Sequence, residues 1–255
     1  MPKAIGIIPA RYGSTRFPGK PLAEISGRPM IQHVYRRAVR ARLLDEVWVA
    51  TDDQRIAQCV CGFGGRVILT SPRHSTGSDR VFEALSKIER GRRRYNIVVN
   101  IQGDEPLLEP RAIDLLIQRL REDRQAQIAT AVHPVSNPKQ AADHHTVKVA
   151  LDRWQRALYF SRSPIPFHRN GIARQSYYQH IGIYAYRRPA LEKFCRLKRG
   201  RLEQAEELEQ LRALENGMEM AVVILPKGWP AVDEPGHIAK IERLMRRKIH
   251  RPPCG

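Results

Sequence analysis

Short apolar runs alternate with amphipathic helical patterns along the first half of the chain, and this alternation constrains the fold more than any other feature. The runs that read as buried strands are AIGII at 4–8, EVWVA at 46–50, RVIL at 66–69 and NIVVNI at 96–101. The helical patterns occupy 30–41, 53–62, 78–90 and 110–122. Such alternation predicts a parallel sheet covered by helices on both faces. Because ligands of these sheets bind beyond the carboxyl ends of the strands, we expect the turns after residues 8, 50, 69 and 101 to surround one crevice.

From about residue 129 the alternation becomes less regular. Strands are expected at 146–152, 158–160, 181–186 and 220–225, and helices at 191–194, 202–216 and 235–247. The acidic helix at 202–216 would turn Leu208, Leu211 and Leu214 toward a core and end at Gly217. No repeat or linker interrupts the chain, so we expect one domain over residues 1–250 and a short tail at 251–255.

The composition excludes several classes of protein. Of 255 residues, 42% are apolar, which is too many for a disordered chain and enough for a large core. No apolar run approaches the length of about 18 residues that a transmembrane helix needs, and the first apolar stretch reads as a strand rather than a signal peptide. We therefore expect a cytoplasmic protein. Cys59, Cys61, Cys195 and Cys254 lack metal-ligand spacing and are interpreted as reduced thiols.

The chain is strongly basic, with a formal net charge of +18. Such a charge suggests an anionic partner: a nucleic acid, an anionic membrane, or small molecules that carry phosphate and carboxylate groups. The clusters RGRRR at 90–94 and RLMRRKIHR at 243–251 are interpreted as a solvated face and a tail. Charge alone does not choose among these partners, so the choice depends on the sites.

A glycine-containing basic loop, PARYGSTRFPGKPL at 9–22, follows the first predicted strand directly. Gly13 and Gly19 permit close approach of the backbone to a ligand. Arg11, Arg16 and Lys20 add positive charge, and fixed cations together with backbone amides are what a triphosphate requires. The loop is not a Walker motif, because a proline rather than serine or threonine follows the lysine.

Acidic residues at strand ends form the second constellation. Asp104 and Glu105 follow the strand at 96–101, and Asp233 follows the strand at 220–225. Carboxylates that face a phosphate-binding loop suit Mg²⁺, which binds one or two carboxylates together with substrate phosphates. Each of these residues also has an ordinary interpretation as a helix cap. Asp233 would complete a Mg²⁺ site with Asp104.

Three further polar segments are candidates for ligand contact. The segment TSPRHSTGSDR at 70–80 suits contact with a nucleoside around Gly77, with Ser78 or Asp79 as a helix cap. Arg162, in FSRSPIP, and His180, in HIGIYAYR, offer cationic or hydrogen-bond donor groups for a carboxylate. His74 is interpreted as a surface residue, and the pair at 144–145 as solvated side chains rather than a metal site.

Taken together, these segments resemble the 3-deoxy-manno-octulosonate cytidylyltransferase (CMP-Kdo synthetase) family. The resemblance also includes LEQLRALENG at 208–217 and VDEP at 232–235, and it spans nearly the whole chain in the expected order. It implies a Rossmann-like α/β fold of the nucleotide-diphospho-sugar transferase type, with a dimerisation segment at about 130–190. It also implies a Mg²⁺-dependent homodimer that transfers CMP from CTP to 3-deoxy-D-manno-octulosonate (Kdo) for lipopolysaccharide synthesis, without nucleic-acid or membrane partners.

The resemblance assigns roles residue by residue. Arg11, Lys20, Asp104 and Asp233 match catalytic positions, and the two aspartates among them match the magnesium ligands. The matching nucleotide-binding positions are Pro9, Ala10, Arg11, Gly13, Lys20, Arg73, Gly77 and Gln102. The matching sugar-binding positions are Gln102, Arg162, His180, Tyr184, Glu209 and Gln210.

The chain departs from the family pattern in three places. The family pattern S-G-T is TGS at 76–78, N-P-N-V-V-K-V is DHHTVKV at 143–149, and V-D-T-P-E-D is VDEPGH at 232–237. Two alternatives remain open. A related acidic sugar, such as 8-amino-Kdo or a sialic acid, would depend on the residues near Arg162 and His180. A nucleic-acid-binding protein would account for the charge, but no aromatic-rich binding strand, zinc motif or basic recognition helix is recognisable.

Overall fold

The computed structural model describes residues 2–13, 17–90, 94–135, 137–169 and 177–249, with side chains described up to residue 246. The chain divides into two compact units, each built from separated segments. The first unit comprises Ile5–Arg94, Asn100–Arg111 and Trp229–Gly255, and the second comprises Met1–Ala4, Tyr95–Val99 and Ala112–Gly228. The single domain over residues 1–250 stays a prediction. Arg16, the tail at 251–255 and parts of both basic clusters lie outside the described residues.

In chain order, the elements are β1 (Ala4–Ala10), β2 (Glu24–Ile25), β3 (Arg28–Pro29), α1 (Met30–Ala38), β4 (Glu46–Thr51), α2 (Gln54–Gly62), β5 (Val67–Leu69), α3 (Gly77–Ile88), β6 (Ile97–Asn100), α4 (Pro110–Glu122), β7 (Ile128–Val135), α5 (Pro138–Ala142), β8 (Lys148–Leu151), β9 (Ala157–Ser161), β10 (Tyr177–Arg187), α6 (Arg188–Arg196), α7 (Arg201–Glu206), α8 (Leu211–Glu215), β11 (Met220–Ile224) and α9 (His237–Ile249). All the predicted strands and helices of the first half are present, with ends shifted by at most three residues.

The first unit contains three parallel strands, with β4 between β1 and β5. Thr51 pairs with Ala10 on one side and Leu69 on the other, so the three carboxyl ends lie at the same edge. α2 and α3 pack against β4 and β5, and α1 packs against β4. A side chain caps the start of both α2 and α3: Asp53 accepts the N–H of Arg55 at α2, and Thr76 accepts the N–H of Asp79 at α3. The cap of α3 is therefore Thr76, not Ser78 or Asp79 as predicted.

The second unit contains the antiparallel part of the sheet. β7 is central: β11 pairs with it in parallel and β10 pairs with it antiparallel, while β8 pairs with both β10 and β9. The sequence did not reveal β7, because Thr130, His133 and Pro134 interrupt its apolar residues, so β7 lacks the continuous apolar run that marked the strands of the first half. The predicted α/β class, with a mostly parallel sheet covered by helices, is confirmed.

The single helix predicted at 202–216 is wrong. Two short helices, α7 and α8, replace it, and Glu207 between them has a left-handed backbone with φ 51°. The break directs the Glu206 carboxylate to Ser161 Oγ at 2.6 Å and to the N–H of Arg162 at 2.9 Å, which a continuous helix pattern cannot indicate. Gly217 does follow the end of α8 with φ 65°, as predicted. Among the described residues, no helix is both long and apolar enough to cross a membrane.

Candidate active site

A cavity of about 300 Å³ opens at the carboxyl edge of the strands in the first unit. The turns that follow β1, β5 and β6 meet there, as the alternation predicted, and the segment before α9 joins them. The turn after β4, which was also expected at the crevice, contributes none of the described residues that line the cavity. The residues that line it are Pro9, Ala10, Arg11, Lys20, Pro21, His74, Ser75, Thr76, Gly77, Arg80, Gln102, Gly103, Asp104 and Asp233. The cavity therefore combines a basic loop with carboxylates, the two features that the sequence assigned to a triphosphate and its cation.

Close backbone approach shapes the floor of the cavity. A Cβ atom at Gly103 would lie 2.9 Å from the carbonyl oxygen of Pro9, which is closer than real Cβ contacts allow. Only glycine therefore lets the turn after β6 pack directly on the end of β1. Gly19 has φ 71° and donates its N–H to the Tyr12 carbonyl at 2.9 Å, which brings Lys20 back toward the same edge.

Lys20 connects three segments that are far apart in sequence. Its Nζ donates to Asp104 Oδ2 at 2.6 Å and to the Val232 carbonyl at 3.0 Å. The N–H of Val232 donates to the Asp104 carbonyl at 2.9 Å, so these two backbones are also joined directly. Val232 is completely buried in a cluster with Ile25, Met30, Leu107 and Ile241, which anchors the neighbouring Asp233. The predicted catalytic residues Arg11, Lys20, Asp104 and Asp233 all line one cavity.

Glu105 carries a third carboxyl group next to those of Asp104 and Asp233. Glu105 is only 7% exposed, and Trp229 Nε1 donates to its Oε2 at 2.8 Å. The pKa of Glu105 is raised to about 8, mainly by burial; the charges of Asp104 and Asp233 act in the same direction, and the Trp229 hydrogen bond opposes them. The carboxylates of Asp104 and Asp233 thus both lie close enough to Glu105 to disfavour the ionised form of its carboxyl group. This concentration of negative charge at the cavity favours a cation.

The sequence analysis missed Arg80, which supplies a guanidinium to the cavity wall. Arg80 is only 3% exposed, and its Nη1 donates to Thr70 Oγ1 at 2.7 Å while Nη2 lies 3.2 Å from Asp52. The position one turn into α3 suggested a capping segment rather than a ligand contact. By contrast, neither Arg73, which is exposed, nor Gly13 is among the residues that line the cavity.

The sequence analysis interpreted His74 as a surface residue, but its side chain lines the cavity. Its Nε2 forms a close hydrogen bond with Glu83, which also accepts the N–H of Ser71 at 2.8 Å and lies 2.8 Å from Lys87 Nζ. Burial alone would raise the pKa of Glu83, but the hydrogen bonds from Lys87, Ser71 and His74 outweigh it and lower the pKa to about 2. Glu83 therefore stays ionised and fixes the turn that carries His74.

The predicted sugar-binding residues other than Gln102 belong to the second unit. His180 and Tyr184 lie on β10 with ring centroids 5.3 Å apart, and the His180 ring also packs edge-on against Phe160. Thr130 Oγ1 donates to the Ile183 carbonyl at 2.9 Å, so its contact of 3.0 Å with His180 Nε2 requires a proton on that nitrogen. Burial lowers the pKa of His180 to about 3. His180 is therefore a neutral donor and not a cation.

Arg162, Glu209 and Gln210 lie around the break between α7 and α8. Arg162 Nε donates to the Glu206 carbonyl at 2.8 Å, and its Nη1 donates to the His144 carbonyl at 3.1 Å. Gln210 is buried, and Glu209 lies 3.8 Å from Arg212. The predicted sugar-binding side chains of this unit thus come from one strand, one strand end and one interrupted helix.

Comparison with known proteins defines the class. A family model described as cytidylyltransferase matches residues 5–220. A solved structure of CMP:2-keto-3-deoxy-manno-octonic acid synthetase complexed with CTP superposes with a TM-score of 0.90 and 46% identity, and the match covers 96% of this chain and 99% of that one. The fold and the cavity are therefore those of a nucleotidyltransferase.

Two curated relatives narrow this class. The 3-deoxy-manno-octulosonate cytidylyltransferase of Escherichia coli is 46% identical over 249 residues, or 98% of each chain. The 8-amino-3,8-dideoxy-manno-octulosonate cytidylyltransferase of a Shewanella species is 47% identical over 242 residues, which are 94% of this chain and 97% of the relative. The chain belongs to the 3-deoxy-manno-octulosonate cytidylyltransferase family, as its motifs indicated.

Proposed function

We propose that this enzyme transfers CMP from CTP to Kdo and releases pyrophosphate. The observation that carries the proposal is the convergence of Lys20, Asp104 and Asp233 in one cavity of a cytidylyltransferase fold. The names of the relatives and the CTP complex of the similar structure support the choice of both substrates.

The cavity residues have distinct tasks with CTP. Arg11 and Lys20 would offset the charge of the phosphate groups, because fixed cations in a cavity need no reorganisation when charge moves during the reaction. The turn at Gly103 and the segment around Gly77 would contact the nucleoside. Arg80, held by Thr70 and Asp52, adds a rigid donor to the same wall. The net charge of +18 would raise the local concentration of two anionic substrates.

The donor set fits Mg²⁺. Asp104 and Asp233 supply carboxylate oxygens at the cavity wall, and hard oxygen ligands are what this ion prefers. These two residues would hold it. A Mg²⁺ ion held there would supply positive charge to the phosphate groups and would acidify a nearby hydroxyl. Lys20, whose Nζ contacts Asp104 Oδ2, is the residue of this chain that would share the carboxylate with it.

The transfer itself needs no covalent enzyme intermediate. The anomeric hydroxyl of the sugar would attack the α-phosphorus of CTP in line and lose its proton to solvent. A new P–O bond forms while the bond to the pyrophosphate oxygen breaks, and pyrophosphate leaves with the electron pair. The enzyme's contribution is to position both substrates and to stabilise charge. In the sugar site, Arg162 would bind the carboxylate, while neutral His180 with Tyr184 and Gln210 would donate to or accept from hydroxyl groups.

Three broader properties belong to the same proposal: a homodimer, a cytoplasmic location and a role in lipopolysaccharide synthesis. For the dimer, the apolar side chain of Phe167 is 87% exposed on the second unit, and Trp154 and Leu158 are also largely exposed. Tyr177, which also lies in the expected dimerisation segment, is instead buried within its own unit beside Val135 and Ala141.

The 8-amino sugar is the second candidate substrate, because the Shewanella relative is as similar to this chain as the Escherichia coli enzyme. Pyrophosphate release should be measured with CTP and each of Kdo, 8-amino-Kdo and N-acetylneuraminate, with UTP as the nucleotide control. We expect the highest kcat/KM with CTP and Kdo. A higher kcat/KM with 8-amino-Kdo would replace the proposed substrate, and release with none of the sugars would refute the proposed function.

A further inference from the structure

Lys148, at the start of β8, carries a completely buried side chain. Its exposed fraction is 0%, although a lysine ordinarily keeps its ammonium group in water. Removing this charge from water is costly unless the group is fully hydrogen-bonded. The residue must therefore have partners that justify its burial, and neither the sequence analysis nor the proposed reaction assigns it a role.

The ammonium group is surrounded by backbone carbonyl oxygens from two segments. Nζ donates to the carbonyls of Asp143 at 2.8 Å and Thr146 at 2.5 Å, both in the turn before β8, and it also donates to the carbonyl of Arg162. An ammonium group has three protons, so these three acceptors use all of them. Burial lowers the pKa of Lys148, while the nearby carboxylates of Asp143 and Glu206 oppose that shift.

The same turn supports the guanidinium group of Arg162. Arg162 Nη1 donates at 3.1 Å to the carbonyl of His144, which lies between two residues whose carbonyls Lys148 holds. On the other side, Glu206 accepts from Arg162 Nε through its carbonyl at 2.8 Å and from the Arg162 N–H through its carboxylate at 2.9 Å. Lys148 thus fixes the backbone of Arg162, and it also fixes the turn that accepts a hydrogen bond from the Arg162 side chain.

We propose that Lys148 is a positioning residue that holds the guanidinium of Arg162 ready for the carboxylate of the keto-acid sugar; this rests on the proposed function of Arg162. A free arginine side chain loses rotamer freedom when it is immobilised, so a preset orientation strengthens sugar binding. Lysine suits the role because its ammonium offers three donors to three converging carbonyls, whereas a planar guanidinium or an amide cannot.

Steady-state kinetics with Lys148→Met would test this directly. Methionine keeps most of the side-chain volume but leaves the three carbonyls without their donor. We expect the KM for Kdo to rise at least tenfold, while the KM for CTP stays within twofold of wild type. Lys139→Met, which removes an exposed lysine of the same unit, is the matched control and should change neither value.

A double-mutant cycle with Arg162→Ala would separate positioning from general stability. If Lys148 acts through Arg162, its replacement should cost less than twofold in the Arg162→Ala background. Independent, multiplicative losses would overturn the proposal. Equal increases in the KM for Kdo and for CTP, together with a lower Tm, would overturn it as well.

An NMR arm makes the inference independent of turnover. The Arg162 Nε–H proton donates to the Glu206 carbonyl, so it should give a slowly exchanging side-chain signal that Arg162→Ala identifies. Lys148→Met should broaden or remove that signal, while Lys139→Met should preserve it. An unchanged signal would refute the positioning role even if the enzyme proved to use another sugar.

Lys148→Gln, which retains two donors without the charge, is the second variant if the methionine protein does not fold. An intermediate KM for Kdo is expected from it. If neither variant can be purified with a native circular-dichroism spectrum and CTP binding, Lys148 is a stability residue and the proposal fails.

Discussion

Lys20 Nζ lies 2.6 Å from Asp104 Oδ2, although 84 residues separate the two in sequence. One side chain comes from the loop after the first strand and the other from the turn after β6, and the second contact of Lys20, with the Val232 carbonyl, brings in the segment that carries Asp233. Lys20, which is expected to stabilise the phosphates, is therefore joined by hydrogen bonds to the two segments whose carboxylates are expected to hold Mg²⁺.

Lys20→Ala should weaken stabilisation of the transition state by roughly 2–4 kcal/mol, which is about 30- to 900-fold in kcat/KM for CTP. The physical reason is the loss of a fixed charge that points into the cavity. Lys240→Ala, which removes an exposed lysine of the same unit, should leave kcat/KM unchanged. Wild-type kinetics in Lys20→Ala would show that Lys20 only neutralises Asp104.

Asp104→Asn and Asp233→Asn should each abolish most of the Mg²⁺-dependent pyrophosphate release, and the double variant should cost little more than either single one. Two carboxylates that hold one ion fail together, so their effects are not additive. The measurement is a double-mutant cycle on kcat/KM at saturating Mg²⁺, with Tm recorded for each protein. If Asp233 only capped a helix, its replacement would instead cost about 1 kcal/mol or less of stability and leave the kinetics intact.

Gly103→Ala should reduce kcat/KM for CTP by more than tenfold, because the added methyl group would press on the Pro9 carbonyl at 2.9 Å and move the two turns apart. Gly62→Ala is the matched control, since its methyl group would meet nothing within 4 Å in α2. Alanine there should be neutral or slightly stabilising. Equal activities of the two variants would mean that the floor of the cavity is more compliant than this contact indicates.

His180 should make the protein sensitive to acid. Its pKa in the folded state is lowered to about 3 from an ordinary value of 6.5, because burial disfavours the charged ring. Its stabilising contribution is therefore complete above pH 6.5 and is lost as the pH falls toward 3, by up to about 1.4 kcal/mol per pH unit. His180→Asn should flatten the free energy of unfolding between pH 6.5 and pH 5, measured by urea denaturation.

The control for this pH dependence is His145→Asn, because His145 is exposed and its replacement should leave the slope of wild type. A His180→Asn protein with the same pH slope as wild type would show that the ring takes up a proton without cost in the folded state.

The exposed Phe167 should lie in the dimer interface that the family resemblance implies. Light scattering should give about twice the chain mass of 29.2 kDa for wild type. Phe167→Ser should shift the equilibrium toward the monomer, because it removes a large apolar contact area from the interface. A monomer mass for the wild-type protein at working concentration would exclude the dimer, and an unchanged dimer in Phe167→Ser would place the interface elsewhere.

Local patterns predicted the strands and helices of the first half well, since each strand is a short apolar run and each helix has an apolar face. The same patterns failed at β7, where Thr130, His133 and Pro134 interrupt the apolar run, and at Glu207, where a left-handed residue interrupts an otherwise good helix pattern. In both cases the deciding interactions are with residues far away in sequence. The contacts of Glu206 with Ser161 and Arg162 span more than 40 residues.

The sequence by itself determined the class of this protein: the loop at 9–22, the acidic strand ends and the order of the motifs indicated the family and most of the cavity residues. Only the tertiary structure decided how those groups are charged and held. Burial is the main cause of the raised pKa of Glu105, about 8, and it keeps His180 neutral. The packing of distant segments also places Arg80 in the cavity wall and encloses Lys148 among three carbonyls. The physical reason is that residue type and spacing are local properties, whereas desolvation depends on every segment that packs around a group.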